Sequence, residues 1–175
     1  MIRKKRSLTP LFENLLLIAI AILIAFFIRS YIIHPFLIPT ASMEPTIKIG
    51  DNLLIEKVSY RFRSPKYGEI VIFDNPSGDG RRLIKRVIGV AGDHIEVTDD
   101  GHVIINEEPL EESYARYQDI GQAFNYDVPE DTVFVQGDNR GNSQDSRWFG
   151  PIPINTIIGK AVFRCWPLNR FGFIY

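Results

Sequence analysis

Apolar positions in this chain fall into two regimes. From Leu15 to Ile28 they run without a break, as LLLIAIAILIAFFI; beyond residue 34 they come in short blocks separated by Gly, Pro, Asn and Asp. As a helix the unbroken run would span about 21 Å, short of the ~30 Å apolar thickness of a bilayer. Extended from Leu11 to Ile33 it reaches about 34 Å, with Glu13 near one interface and Arg29 near the other. Arg29 can snorkel towards headgroups, and Tyr31 suits an interfacial position. The pattern therefore predicts one transmembrane α-helix over 11–33. A cleaved export signal is the competing reading of a basic start followed by a short apolar stretch. The bulky residues from Arg29 to Pro35 offer no small-x-small cleavage site, which favours an uncleaved anchor.

After the anchor no 3.6-residue periodicity persists. Leu53–Ile55, Glu69–Phe73, Leu83–Val90, Ile95–Val97, Val103–Ile105, Thr132–Val135 and Ile157–Phe163 read as strands, punctuated by turn signals such as Asn75-Pro76-Ser77-Gly78 and Gly92-Asp93. Many short strands without a second convincing helix predict an all-β domain of sandwich or barrel type over 34–175. His94 and His102 flank a short hairpin with an Asp-Gly turn. Residues 106–127 are polar and unpatterned, and read as a surface excursion between core strands. Residues 137–150 contain no hydrophobic side chain before Trp148. That segment reads either as a surface loop or as a bracing network in which Asp138, Arg140, Asp145 and Arg147 pair.

Charge adds a direction. Residues 1–30 hold Arg3, Lys4, Lys5, Arg6 and Arg29 against Glu13, whereas the rest of the chain carries 15 basic and 20 acidic residues. A basic tail over 1–10 that stays in the cytoplasm, and an acidic domain on the far side of the membrane, fit this asymmetry. No broad basic patch exists beyond the N-terminal tetrad, so nucleic acid is not an expected partner. Cys165 is alone, which excludes an internal disulfide and a cysteine metal cluster. The acidic loop lacks EF-hand spacing, so no metal or cofactor is expected.

The candidate chemistry begins at Ser42, in Pro39-Thr40-Ala41-Ser42-Met43-Glu44-Pro45-Thr46, a few residues past the anchor. Two prolines restrict the loop, but a serine hydroxyl needs a base to become a nucleophile. His34, His94 and His102 are the only histidines, and a structural or solvated role suits each. In Leu83–Ile88, alternation places Lys85 and Arg86 on opposite faces, and pattern alone does not say which is buried. Arginine stays protonated, so only Lys85 could serve as a base. Solvated edge-strand cations are the other reading of the pair.

Taken in order, the anchor, Pro39–Thr46, Gly50-Asp51, Lys85–Asp93 and Gly137–Gly150 resemble the bacterial type I signal peptidases, membrane-anchored Ser-Lys proteases. The resemblance covers most of the chain. It implies a signal-peptidase-like all-β catalytic domain behind one transmembrane helix, with Ser42 as nucleophile and Lys85 as general base. It implies an oxyanion hole from the Ser42 backbone N–H and the Thr40 hydroxyl. Ser143 would hydrogen-bond the lysine, and Asp145 and Arg147 would brace the site. Phe36, Ile38, Ile47, Leu83 and Ile84 would shape two shallow pockets for small residues at positions −1 and −3 of a signal peptide. Threonine at 40 replaces the family's usual serine and keeps the hydroxyl; Ala91 stands where proline is common.

By the same resemblance, the partners are signal peptides of exported preproteins and the phospholipid bilayer, in the plasma membrane of a bacterium. Trp148, Phe149 and the tail Phe171–Tyr175 read either as core packing or as a seat on that bilayer. Two rival functions stand beside this one. A self-cleaving repressor-type Ser-Lys protease would carry a DNA-binding helix pair or a soluble cleavage arm in place of the anchor. A non-catalytic membrane-tethered β-domain would have no need of both Ser42 and Lys85.

Overall fold

The computed structural model of the chain describes residues 10–116 and 123–175. Helix α1 (Pro10–Phe27) runs into a wider helical turn over Ile28–Ile32, and strand β1 (Ile33–Leu37) follows directly. The described side chains from Phe12 to Arg29 are exposed. At ~1.5 Å per residue, α1 is about 27 Å long. No helix among the described residues is long and apolar enough to cross a membrane. The basic tail predicted over 1–10 lies outside the described residues, except for Pro10.

The rest is dominated by antiparallel sheet. The strands are β2 (Asn52–Glu56), β3 (Ile70–Asp74), β4 (Arg82–Val90), β5 (His94–Val97), β6 (Val103–Ile105), β7 (Glu108–Pro109), β8 (Phe124–Asp127), β9 (Thr132–Gln136), β10 (Ile152–Pro153), β11 (Ile157–Trp166) and β12 (Gly172–Phe173). One sheet has the order β1-β2-β11-β3-β4-β9-β10, with β12 added to β11; the second has the order β7-β6-β5-β8.

Burial separates the strands by their place in these sheets. β5 alternates exposed and buried residues, the mark of a strand with one wet face. In β3 four successive residues are buried, and in β4 six, from Ile84 to Gly89. These two strands are covered on both faces. Ile70, Ile72 and Ile84 join Met43, Ile47, Leu53 and Ile55 in one cluster. Val71, Phe73 and Val87 join Val133, Val135 and Ile152 in another. The outer end of β4 contributes Ile88 to a third cluster with Ile95 and Val97 of the smaller sheet and Phe134 of β9.

Pairing along β4 is asymmetric. It pairs with β3 from Arg82 to Arg86, whereas β9 joins the other side only from Arg86 onward. The stretch Arg82–Lys85 thus presents one backbone edge with no strand partner among the described residues.

All seven strands expected from the sequence form. The excursion expected over 106–127 keeps most of its described residues at the surface, but it is not structureless. It contains β7 and β8, and Glu112 is buried; residues 117–122 lie outside the described residues. The segment 137–150 is also not a solvated loop: Asp138, Arg140, Asp145 and Ser146 are buried, and Ser146–Phe149 forms a short helix, α2. The hairpin at His94–His102 is as expected, with Gly101 at a φ of 84° in its turn.

Candidate active site

The loop after β1 is pinned before it reaches Ser42. Ile38 N donates to the Asp51 carbonyl at 2.9 Å, and Gly50 N donates back to the Ile38 carbonyl at 2.9 Å. Met43 and Ile47 are fully buried, so apolar packing holds the chain on the far side of the serine. Asn139 grips the loop itself: its backbone N donates to the Ser42 carbonyl at 3.0 Å and its Nδ2 to the Ala41 carbonyl at 3.1 Å. Behind the turn, the Thr46 hydroxyl donates to Asp138 at 2.5 Å, and Arg170 bridges the Thr46 carbonyl and Asp51.

β4 carries Lys85 to this loop. Its Nζ donates to Ser42 Oγ at 2.8 Å and to its neighbour's carbonyl, Ile84 O, at 2.8 Å. Lys85 and Arg86 are both 2 % exposed, which settles the alternatives left by the strand pattern: both cations are buried. They are solvated differently. Arg86 forms a two-pronged pair with Asp138, at 2.9 and 2.7 Å, while both hydrogen bonds of the Lys85 amine go to uncharged oxygens.

Burial therefore lowers the Lys85 pKa from 10.5 to about 8. Asp145 and Asp138 oppose that shift at a distance, and the positive charge of Arg147 adds to it. Arg147 donates to both oxygens of Asp145, at 2.8 and 2.9 Å, and so offsets much of the carboxylate's field. Asp145 also accepts the Gly137 N–H at 3.0 Å and caps α2, while the Ser146 hydroxyl accepts the Val135 N–H at 2.9 Å. These bonds fix the loop to the end of β9.

Gly137 is required by closeness. A Cβ there would lie 2.4 Å from the Ser42 carbonyl oxygen and 2.3 Å from Ser143 Oγ. Ser143 itself departs from expectation. Its buried Oγ has no hydrogen-bond partner among the described residues, whereas the Ile84 carbonyl does accept from the Lys85 amine.

Two hollows flank the lysine, and Thr40, Arg81, Leu83 and Lys85 line both. One, of about 470 Å³, adds Phe36, Pro39 and Ile84; the other, of about 490 Å³, adds residues 141–144 and Trp148. Of the five expected pocket residues, Phe36, Leu83 and Ile84 line these hollows. Ile38 and Ile47 do not: they are fully buried in the core cluster on which Phe36 packs. A larger hollow of about 610 Å³ lies elsewhere, lined by Ser64, Lys66, Tyr67 and Val90 among others. Ser64 and Lys66 are exposed, so it offers no desolvated base.

The histidines play no part at Ser42 Oγ, whose hydrogen bond comes from Lys85. His94 is exposed and pairs with Asp127 at 2.6 Å. Asn139 and Glu112 were not legible as site residues, the first because nothing in a run of polar residues distinguishes it, the second because it stands among several glutamates.

Residues 11–166 match the protein family described as signal peptidase, peptidase S26. A signal peptidase I of Leptolyngbya laminosa is 41% identical over 172 residues, which cover 94% of this chain and 84% of that protein. A probable signal peptidase I-2 of Synechocystis sp. is 40% identical over 160 residues, covering 88% of this chain and 72% of that one. The crystal structure of a signal peptidase I from Enterococcus faecalis V583 is 32% identical, with a TM-score of 0.49, and covers 56% of this chain and 97% of its own.

Proposed function

This chain belongs to the signal peptidase family, peptidase S26, and from that premise we propose that it is a serine endopeptidase that removes signal peptides from exported preproteins. The observation that carries the reading is the buried Lys85 amine, 2.8 Å from Ser42 Oγ and touched by no carboxylate of the described residues. With a pKa of about 8, an appreciable fraction of that amine is neutral near pH 7.

The chemistry follows from the neutral amine. Lys85 Nζ takes the Ser42 proton as Oγ attacks the scissile carbonyl, and the resulting ammonium protonates the departing amine. The acyl group is left on Ser42, and a water deprotonated by Lys85 then releases it. The developing oxyanion is held by the Ser42 N–H and the Thr40 hydroxyl; Thr40 borders both hollows beside the lysine.

An extended signal peptide adds to the unpaired edge of Arg82–Lys85, facing Pro39 and Thr40 across the groove. Alternate side chains of such a strand point the same way, so residues −1 and −3 enter the wall of Phe36, Leu83 and Ile84 together. Ile38 and Ile47 act from beneath, by fixing how deep that wall can be.

The membrane enters at two places. Helix α1 and the turn after it, whose described side chains are mostly apolar and exposed as far as Tyr31, form the single anchor, with the N-terminus cytoplasmic and the β domain outside. Trp166, Leu168, Phe171, Phe173 and Tyr175 are exposed near the chain's end and rest the domain on the bilayer, whereas Phe149 packs against Phe73. The test is cleavage of a signal-peptide-bearing precursor by the detergent-solubilised chain beside Ser42→Ala. A cut after a small residue by the wild type alone is the expected result. Cleavage by a folded Ser42→Ala variant would overturn the assignment of the nucleophile, and none by either would leave a non-catalytic binding domain.

A further inference from the structure

We infer that the segment Glu112–Arg116 is a strap that positions the loop carrying Asp138, Asn139, Asp145 and Arg147, and that Glu112 is its anchoring residue. The inference rests on the assignment of Ser42 and Lys85 made above.

A polar surface excursion would be expected to satisfy itself with water. Glu112 instead has a side chain 1% exposed, paired with an Arg140 side chain also 1% exposed. The pairing is two-pronged: Arg140 Nη1 donates to Glu112 Oε2 at 2.8 Å, and Nη2 donates to Oε1. The Tyr114 hydroxyl donates to the same carboxylate at 2.9 Å, and its ring lies 3.9 Å from the Arg86 guanidinium carbon. The backbone closes the clamp. Arg116 N donates to the Asp138 carbonyl at 2.7 Å, and Arg140 N to the Arg116 carbonyl at 2.9 Å.

From Arg140 the connection to the dyad is short. Its Nε donates to the Gly137 carbonyl at 3.0 Å, and its own carbonyl accepts Arg147 Nη2 at 2.6 Å. Arg147 in turn holds Asp145, and Asn139, between Asp138 and Arg140, holds the Ser42 carbonyl. One buried carboxylate therefore governs both the Ser42 loop and the placement of the Arg147–Asp145 pair.

Stability is a weak reason for such a pair. Dehydrating two charges offsets most of their attraction, and apolar replacements of buried ion pairs are often neutral. A bidentate pair does fix geometry, which is what this loop needs. The charged groups felt by Lys85 are Asp138, Asp145 and Arg147. If the strap is loosened, Arg147 moves off Asp145, the uncompensated carboxylate favours the ammonium, and the pH dependence of cleavage moves to the alkaline side.

The test uses the full chain in detergent, with kcat and KM for a precursor measured from about pH 6 to about pH 10, and wild type, Lys85→Met, Glu112→Gln, Glu112→Asp and Tyr114→Phe in parallel. Glu112→Gln should lower kcat near neutrality about ten-fold or more, leave KM within about two-fold, and move the midpoint upward. Glu112→Asp should recover part of the loss. A folded Glu112→Gln with wild-type kcat and midpoint overturns the inference, whatever its melting temperature. Should Glu112→Gln fail to fold, Tyr114→Phe keeps the ring on Arg86 and removes only the bond to Glu112. It must then show the same alkaline displacement, smaller, and an unchanged profile overturns the inference. If the wild type cleaves nothing, or Lys85→Met cleaves as well as wild type, the dyad assignment fails instead.

Discussion

Lys85 and Arg86 are neighbours in β4 and equally buried, yet among the described residues only Arg86 has a counter-ion in contact. The strand turns one cation to Asp138 and the other to a serine hydroxyl and a carbonyl. The first arrangement keeps a charge; the second weakens one.

Replacing Lys85 with Met should not destabilise the protein near neutrality. The fall in pKa from 10.5 to about 8 corresponds, at ~1.36 kcal/mol per pH unit, to a penalty of about 3 kcal/mol for holding the ammonium in the fold. Because the folded pKa is the lower one, the unfolded chain binds the extra proton, and wild-type stability rises with pH from about 8 to above 10. The advantage of Lys85→Met should therefore be largest below pH 8 and fade above it. Urea midpoints at two pH values check this.

Asp138→Asn should behave in the opposite way. It leaves the Arg86 guanidinium buried without its carboxylate and takes a charged acceptor from the Thr46 hydroxyl. Breaking one side of a buried pair costs about 3–5 kcal/mol, which thermal or urea unfolding would register directly.

Arg147→Gln should act on rate through the lysine. Arg147 lowers the Lys85 pKa, and it offsets the carboxylate of Asp145, which raises it. Its loss therefore moves the midpoint of the cleavage profile to higher pH. Each unit of that displacement removes about nine-tenths of the neutral amine at pH 7. Cleavage should be restored on raising the pH, which a collapsed site would not allow.

Gly137→Ala should reduce activity more than its single methyl group suggests. The new carbon would meet the Ser42 carbonyl, a backbone atom that cannot turn aside, as well as Ser143 Oγ. Overpacking of this kind costs about 1–3 kcal/mol. Adding Ser143→Ala removes only the Oγ contact and leaves the Ser42 carbonyl and the Cβ of residue 143, at 2.7 Å, in the way, so the double variant should remain impaired in the same cleavage assay.

Much of this was legible in the sequence. The seven expected strands were legible as short apolar runs bounded by turn residues, continuous where both faces are covered, as at Ile70–Phe73, and alternating in burial where one face is wet, as in β5. β1, β7, β8, β10 and β12 were not legible, being short, polar or interrupted by proline. Ser42 and Lys85 were singled out by proline context and by the chemistry of amines, but their meeting depends on a contact across 43 positions. The burial of Asp138, Arg140, Asp145 and Glu112 was hidden because composition reads a polar run as solvated. They enter the interior because each is paired: Asp138 with Arg86, Asp145 with Arg147, and Glu112 with Arg140. Ile38 and Ile47 were expected in the pockets, and lie in the core behind them, since an apolar residue next to a groove faces either way without changing the pattern.

The most direct test of the account is kcat/KM for precursor cleavage as a function of pH, measured on the wild type beside Lys85→Met. Wild-type activity should rise with a midpoint near 8, and a folded Lys85→Met should cleave at no pH. Cleavage by Lys85→Met, or a wild-type midpoint near the ~10.4 of an exposed lysine, would contradict it.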